Sequence, residues 1–524
     1  MDFRFSAEKF ASKQKKLLHM EYQAEEQEVA ANRALYTTKE LEAKGIAINK
    51  LKLTETSSGL YGKLLIHLQS AKKRKLNDME GGPDYVLPTT KLGSGDIVGI
   101  FQASEHLSTD PLISGVIYKI NIKEISIAID KAAQDTESLY ESHLAVLMLP
   151  NDITYKRCVA AVDSVDNPET TDIPFLWDVL LELQKPREGK SVKIVTVNKD
   201  LNESQVKAVE KGLEAKDVYL VHGPPGTGKT TTIVEYILQE VMRGNKVITC
   251  GPSNMSVDNI VEKLIKSSVK KLKICRVGHP ARMIPQIWDV SLDALVNSSE
   301  EAAMARKAKA ELNKLLPKMM KSKDKEEKRQ MRTEIKLLKK DIKKFEKQAV
   351  KKILDNSDVI LGTNTGIADK KVWEILKTKK YIVVIDEAAQ AIEASCWIPI
   401  RLASKVVLAG DHKQLAPTIK SIDAAKQGLE ITLFERLMEK YKEFSSLLDI
   451  QYRMNNTIMN WSSGAMYEGL LKADKSVANS SLKKKKLTDE QVLESDMLLI
   501  DTAGCQFGES VDDKDENDSK YNIG

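Results

Sequence analysis

The chain has 524 residues, 42% of them hydrophobic and 30% charged, enough for roughly two to four domains with sizeable cores. Lys and Arg number 80 against 75 Asp and Glu, a formal net charge of +5, so any nucleic-acid surface has to come from clustering of basic residues on one face. The five cysteines (Cys158, Cys250, Cys275, Cys396, Cys505) form no C-x-x-C pair, which argues against a disulfide framework or a zinc site and fits a reducing compartment. The charged N-terminus, MDFRFSAEKFASKQKK, lacks the apolar centre of a secretory signal, and no run approaches the about eighteen apolar residues of a membrane span.

Residues 3–45 are rich in Glu, Lys, Gln and Ala, with Phe10, Leu17, Leu18 and Tyr22 at helical spacing, and predict one or two exposed helices. Over 50–130 short alternating runs appear at Leu60–Leu68, Asp96–Phe101, Ile113–Ile120 and Ile125–Ile129, separated by Gly and Asp. That pattern predicts a small antiparallel barrel or sheet, with Lys72–Lys75 in a loop tip that reads equally as a solvated loop or a nuclear import signal. Residues 135–185 read as helix. From 217 onward short apolar strands (DVYLVH, KVITC, KICRV, 358–362, 381–386, 405–410) alternate with helices, the pattern of a parallel sheet covered on both faces. Residues 300–352 interrupt this order with Lys, Glu, Arg, Ala and Leu and no Gly; Leu312, Leu315 and Leu316, then Ile335, Leu338 and Ile342, predict two helices divided by Pro317 and the charged stretch near Lys323. Composition alone favours a solvated, salt-bridge-laced helical hairpin over a basic binding arm. The acidic tail GESVDDKDENDSKYNIG reads as a disordered loop.

The segment GPPGTGKTT supplies Gly223, Pro224, Pro225, Gly226, Thr227, Gly228, Lys229, Thr230 and Thr231 between an apolar strand and a helix. Glycines there let backbone N–H groups converge on phosphate oxygens, and the helix N-terminus adds partial positive charge. Lys229 reaches the outer phosphates of ATP, and the Thr230 hydroxyl ligates Mg2+. In YIVVIDEAAQ, Asp386 closes a buried-type strand, so its carboxylate emerges at the strand's C-terminal end, where ligands bind in such sheets. Asp386 then shares Mg2+ with Thr230, and Glu387 deprotonates the attacking water. Taken alone, Gln414 in LAGDHKQLAPT reads as part of a polar loop and Arg453 in QYRM as a surface arginine. A GTPase switch is disfavoured, because NKD at 198–200 precedes the phosphate loop and lacks the intervening residue of a guanine-reading motif.

These segments, with LNESQVKAV, CGPSNMSVDNIVEKL, RVGHPAR, LGTNTG, LLIDTAGC, GLYGKLL and SGDIVGI, together resemble the superfamily 1 helicases. The match is to the branch typified by the RNA helicase of nonsense-mediated decay, and within it to the immunoglobulin mu-binding protein 2 type. Motif order and spacing agree from about residue 5 to the end. The resemblance implies that Gln205 reads the adenine edge, Tyr452 stacks on the base, and Gln414 and Arg453 contact the γ-phosphate. It also implies that Pro252, Ser253, Asn254, Thr363 and Asn364 track a nucleic-acid backbone, a sequence-independent contact. The barrel and the hairpin then match accessory domains that overhang the nucleic-acid path.

The implied fold class is α/β, a RecA-like P-loop core with inserted barrel and hairpin. N-terminal helices are expected at 1–49, the barrel at 50–135, a helical stalk at 136–200, the first RecA-like domain at 201–430 and the start of a second at 431–524. Ala416 stands where the family usually has Pro, with little expected effect because Gln414 and Pro417 remain. The family's further second-domain motifs, including another arginine, do not follow, so the expected second domain is incomplete at Gly524 and buries little apolar surface. The implied function is an ATP- and Mg2+-dependent helicase moving 5′ to 3′ on single-stranded or partly duplex DNA or RNA, cytoplasmic, nuclear or both. The alternative is a fragment that binds ATP and nucleic acid without productive unwinding.

Overall fold

The structure is a computed structural model that describes residues 3–58, 64–72, 85–108, 110–129, 137–140, 142–167, 174–267, 269, 271–278, 280–322, 324–480, 497, 509–511 and 520–522. Residues 73–75 of the basic loop tip, 59–63 of GLYGKLL, His279 of RVGHPAR and 498–505 of LLIDTAGC lie outside them. Contacts divide the chain into two compact units, one of residues 1–18 with 154–496 and one of residues 19–153 with 497–524. No helix among the described residues is long and apolar enough to cross a membrane.

The second unit is built on a closed antiparallel barrel of β1 (Ala47–Ser58), β2 (Leu64–Ser70), β3 (Ile97–Gln102), β4 (Ile113–Ile120), β5 (Glu124–Ile129) and β6 (Leu144–Met148), ordered β1-β2-β5-β4-β3-β6. Alternation sends one side chain in two inward. Ile66, Ile127 and Ile117 face one another across three paired strands, and all three are fully buried. β6 corrects the helical reading of 135–185. Its sequence, LAVLM, shows no period because both faces are covered: Leu144 and Val146 join the barrel interior, while Ala145 and Leu147 pack with Leu41, Phe101 and Leu107 outside it. In the tail read as disordered, Glu509–Val511 pairs antiparallel with Lys520–Asn522, with Val511 and Tyr521 supplying residue types that favour strands.

The first unit carries a seven-stranded parallel sheet of β7 (Val218–His222), β8 (Val247–Gly251), β9 (Ile274–Arg276), β10 (Val359–Thr363), β11 (Tyr381–Ile385), β12 (Ala403–Gly410) and β13 (Ser445–Leu447), ordered β13-β7-β12-β11-β8-β10-β9. Six of these strands are the apolar runs seen in the sequence; β13, SSL, is too short and polar to announce itself. β7 and β8 are buried at every position, as both-face burial requires. The helices α1 (Phe3–Leu35), α2 (Glu203–Glu214), α3 (Lys229–Met242) and α4 (Asn254–Ile265) are also present. The start of α1 is not merely an exposed helix: Ala7, Ala11, Leu17 and Leu18 are buried, and the Phe10 ring lies 5.5 Å from that of Trp397. This is a RecA-like P-loop architecture, in which the C-terminal ends of β7 and β11 lie on one edge of the parallel sheet with β12 between them.

The hairpin consists of α5 (Glu300–Lys321) and α6 (Lys325–Asn356). Pro317 lies inside α5 rather than between the helices; on an exposed helix, the carbonyl that loses its N–H partner turns to water. The break falls in the charged stretch that the sequence also marked, at Asp324, whose side chain caps α6 by accepting from Glu326 N at 2.9 Å. Met331, Ile335 and Ile342 form its apolar seam, and Lys309–Glu346 and Lys352–Glu301 join the two helices at 2.8 Å each.

Ile127→Ala should destabilise the barrel unit by about 2–5 kcal/mol, through lost burial and the cavity left between Ile66 and Ile117. Urea unfolding of the chain checks this, and a cost below about 1 kcal/mol would contradict the packing described.

Candidate functional site

β7 ends at His222 and the chain turns through Gly223–Gly228 into α3. Gly226 (φ +79°) and Gly228 (φ +77°) adopt left-handed backbone, a region open to glycine at no steric cost. The close packing is an independent reason for glycine. A Cβ on Gly226 would stand 2.6 Å from the Arg453 Cβ, and one on Gly228 2.6 Å from Gln205 Nε2. Thr227 steadies the loop with its hydroxyl on Pro224 O at 2.7 Å.

Lys229 opens α3 with its ammonium 2.7 Å from Glu387 Oε1 and 3.7 Å from Asp386 Oδ1. Asp386 follows β11 and is 2% exposed. Burial pushes its carboxyl pKa up; Lys229 opposes that rise and the neighbouring Glu387 charge adds to it. Glu387 is held at φ +53°, a conformation that costs a non-glycine residue on the order of 1–3 kcal/mol, and its N–H donates to Asp386 Oδ1 at 2.9 Å. A magnesium ion suits this edge, because the candidate ligands Thr230 and Asp386 offer only oxygen, as a hard cation requires, and burial leaves the Asp386 carboxylate in need of positive charge.

The other expected contacts divide. Tyr452 N donates to Gly226 O at 2.9 Å, its hydroxyl accepts from Asn202 Nδ2 at 3.0 Å, and the residue is 40% exposed. Arg453 sits against Gly226, and its guanidinium makes no ion pair among the described residues. The sequence segments QYRM and GPPGTGKTT are therefore brought together. Gln205 lies beside them but is engaged by the chain at both ends: Oε1 accepts from Asn202 N at 3.0 Å and Nε2 donates to Thr227 O at 2.9 Å. Its direct structural work is to fasten the start of α2 to the phosphate loop.

Pro252, Ser253 and Asn254 follow β8, and Thr363 and Asn364 end and follow the adjacent β10, where Thr363 pairs with Gly251. Ser253 caps α4 through Ser256 N at 3.1 Å. Asn254 Oδ1 accepts from the fully buried Arg276, which is paired with Asp258 at 2.8 Å. Asn364 departs from the expected backbone-tracking role. It is 2% exposed, its amide donates inward to Ser395 Oγ at 3.3 Å, and its backbone N–H donates to Gly251 O at 2.9 Å.

One cluster escaped the sequence. Asp411, just after β12, is 2% exposed and accepts four hydrogen bonds. His222 Nε2 (2.9 Å) and Lys413 N (3.0 Å) donate to Oδ1, and Gln414 Nε2 (2.7 Å) and the Tyr467 hydroxyl (2.8 Å) donate to Oδ2. Ligand atoms of His222, Asp411 and His412 lie within 4.8 Å of one another, but a carboxylate filled by four donors offers no open position to a metal. The logic applied to Asp386, an acid at the C-terminal end of an apolar strand, would have found Asp411; no local signal marks Tyr467.

Three family profiles match the chain: the "Helicase SMUBP-2/HCS1, 1B domain" over residues 11–149 and an "AAA domain" over each of 200–422 and 429–524. Among curated relatives, "DNA-binding protein SMUBP-2" of Mesocricetus auratus is 40% identical over 99% of this chain and 51% of its own length. "DNA polymerase alpha-associated DNA helicase A" of Saccharomyces cerevisiae is 32% identical over 95% of this chain and 78% of its own. An "Uncharacterized ATP-dependent helicase" of Methanocaldococcus jannaschii is 35% identical over 83% of this chain and 69% of its own. The chain spans about half the length of the SMUBP-2 proteins it matches.

The Asp411 cluster ties stability to pH. Burial alone would raise the Asp411 pKa, but hydrogen bonds from His222, Gln414 and Tyr467 outweigh it and hold the carboxyl at about 2. Its contribution, about 2 kcal/mol, is present above pH 4 and lost as pH falls toward 2. Burial, then the neighbouring His222 charge, lowers His412 to about 4, so folding favours its neutral form and stability falls as pH drops from 6.5 to 4. Urea midpoints across pH 8 to 2.5 should decline less in the upper window for His412→Gln and less in the lower for Asp411→Asn. Profiles parallel to the parent's would contradict these assignments.

Proposed function

The chain belongs to the SMUBP-2/HCS1 family of helicases, and from that premise we propose that it binds and hydrolyses ATP to drive 5′-to-3′ movement on single-stranded DNA or RNA. The observation that carries this reading is the Lys229 ammonium held against Asp386 and Glu387 at the mouth of a glycine loop. Phosphate oxygens entering the loop meet the N–H groups at the start of α3 and compete with Glu387 for Lys229. Glu387, released from that pair, is placed to orient and deprotonate water. In this reading Gln414 and Arg453 contact the outer phosphate, and Tyr452, exposed beside Asn202, stacks on the base. Thr230 and Asp386 would hold magnesium, which when bound neutralises phosphate charge. Thr231 lies one residue on, its hydroxyl accepting from Lys263 at 2.8 Å.

Nucleic acid would run along the C-terminal ends of β8 and β10, with Pro252, Ser253, Asn254 and Thr363 as its contacts and Arg276 steadying Asn254. Asn364 supports this edge from inside through its backbone bond to Gly251. Charge segregation supports a role for the hairpin. Between Glu300 and Asn356 the chain carries 19 Lys and Arg against 10 acids, an excess larger than that of the whole chain. Arg332, Lys336, Lys339, Lys343 and Lys347 are exposed along α6, so phosphate attraction at this arm fits better than the bland spacer that composition alone favoured. The accessory role of the barrel, whose strands run from Ala47 to Met148 rather than ending near 135, and the division into two RecA-like regions follow the same family reading, as does action in the cytoplasm or nucleus.

Two substitutions test the site by nucleotide titration and turnover. Lys229→Ala should abolish ATP binding, and unchanged affinity would refute the phosphate-loop assignment. Glu387→Gln should bind ATP at least as tightly as the parent, since it removes a competitor for Lys229, while turnover falls by about 10²-fold or more. Undiminished turnover would place the base elsewhere.

A further inference from the structure

Asp411 Oδ2 receives two donors from different parts of the chain. One is Gln414 Nε2 at 2.7 Å; the other is the hydroxyl of Tyr467 at 2.8 Å. Tyr467 is 4% exposed and caps the C-terminus of α7 (Asn456–Met466). It packs with Met459 and Leu471 in a small apolar cluster against which Met454, the residue after Arg453, also rests. The body that presents Arg453 to Gly226 therefore also presents a hydroxyl to Asp411.

A carboxylate only accepts hydrogen bonds, so Gln414 must turn its nitrogen toward Asp411. One N–H is used there, and the residue is exposed. The flip of the Gln414 amide is thus decided by Asp411, and the position of Asp411 Oδ2 by whatever else donates to it. On the other side Oδ1 is anchored by His222 Nε2 at 2.9 Å, and His222 immediately precedes the phosphate loop. The rings of His222 and Tyr467 lie 6.0 Å apart.

We propose that Tyr467 is a positioning residue for Gln414: through the shared Asp411 carboxylate it sets the Gln414 amide for the outermost phosphate and makes that contact depend on the same body that carries Arg453. The inference rests on the nucleotide-site reading above and extends it to a residue with no place in the sequence motifs. The Tyr467 hydroxyl keeps its proton, since burial and Asp411 both raise its pKa well above the ordinary value, so it acts as a fixed donor.

The test compares affinity for a non-hydrolysable ATP analogue with affinity for ADP, by fluorescence titration, in the parent, Tyr467→Phe, Gln414→Ala and the double variant. ADP lacks the phosphate that Gln414 would meet, so its affinity reports an intact site while the ratio reports the contact. Tyr467→Phe should bind ADP within about twofold of the parent and lose about 3- to 10-fold of the preference for the triphosphate. The double variant should be no worse than Gln414→Ala, because one residue acts through the other. An unchanged ratio in Tyr467→Phe, or losses that multiply in the double variant, would overturn the proposal. If Tyr467→Phe fails the ADP control, Asp411→Asn serves instead and should lower the ratio at least as far; a parental ratio there also overturns it. A parent that binds neither nucleotide would bring down the nucleotide-site reading and this inference together, whereas a parent that discriminates beside a Tyr467→Phe that does so equally well brings down this inference alone.

Discussion

A lysine ammonium at the positive end of a helix is electrostatically misplaced unless acids stand close by. Lys229 opens α3, and the acids are supplied by β11, two strands away across β12. Parallel register brings the ends of these strands to one edge, so Asp386 and Glu387 reach Lys229 without any local sequence relation to it. The two acids are not equivalent. Asp386 is sealed at 2% side-chain exposure and Glu387 keeps 29%, so in the proposed reaction the partner that yields to phosphate is the one water already reaches. The left-handed backbone of Glu387 fits the same picture, since strain persists only where surrounding structure enforces it.

The second organising element is the Asp411 carboxylate. It joins the strand before the phosphate loop, the loop after β12 and the cluster around Tyr467 by direct hydrogen bonds. Four donors on one buried acid make an arrangement that tolerates little rearrangement. A displacement of the Tyr467 cluster is therefore felt at Gln414 and, through His222, at the base of the phosphate loop. Arg453 and Tyr452 lie on the same short stretch of chain as Met454, which packs on the Tyr467 cluster.

Much of this was legible in the sequence, and the reasons differ by residue. The phosphate loop and Asp386 could be read because each is punctuated by its own strand. Gln414 and Arg453 sit in loops whose composition says nothing, and only the resemblance to a family gave them roles. Asp411 and Tyr467 were missed because their relation spans 56 residues, and no periodicity encodes a contact of that range. β6 was misread because burial on both faces erases alternation. Pro317 was misread because an exposed helix tolerates it, and Asn364 because an amide in a loop does not declare whether it faces water or the core. The hairpin itself was legible, but the whole-chain charge of +5 gave no sign of its basic excess, because the sum averages a basic arm against an acidic remainder.

The proposed function requires the Lys229–Asp386–Glu387 edge to hydrolyse ATP in response to nucleic acid. Steady-state ATPase of the 524-residue chain, measured with and without single-stranded RNA or DNA, addresses it most directly. Turnover should rise severalfold or more when either strand is added and lose that stimulation as salt screens the phosphate contacts. A folded chain that binds ATP and nucleic acid yet shows no turnover under either condition would contradict it.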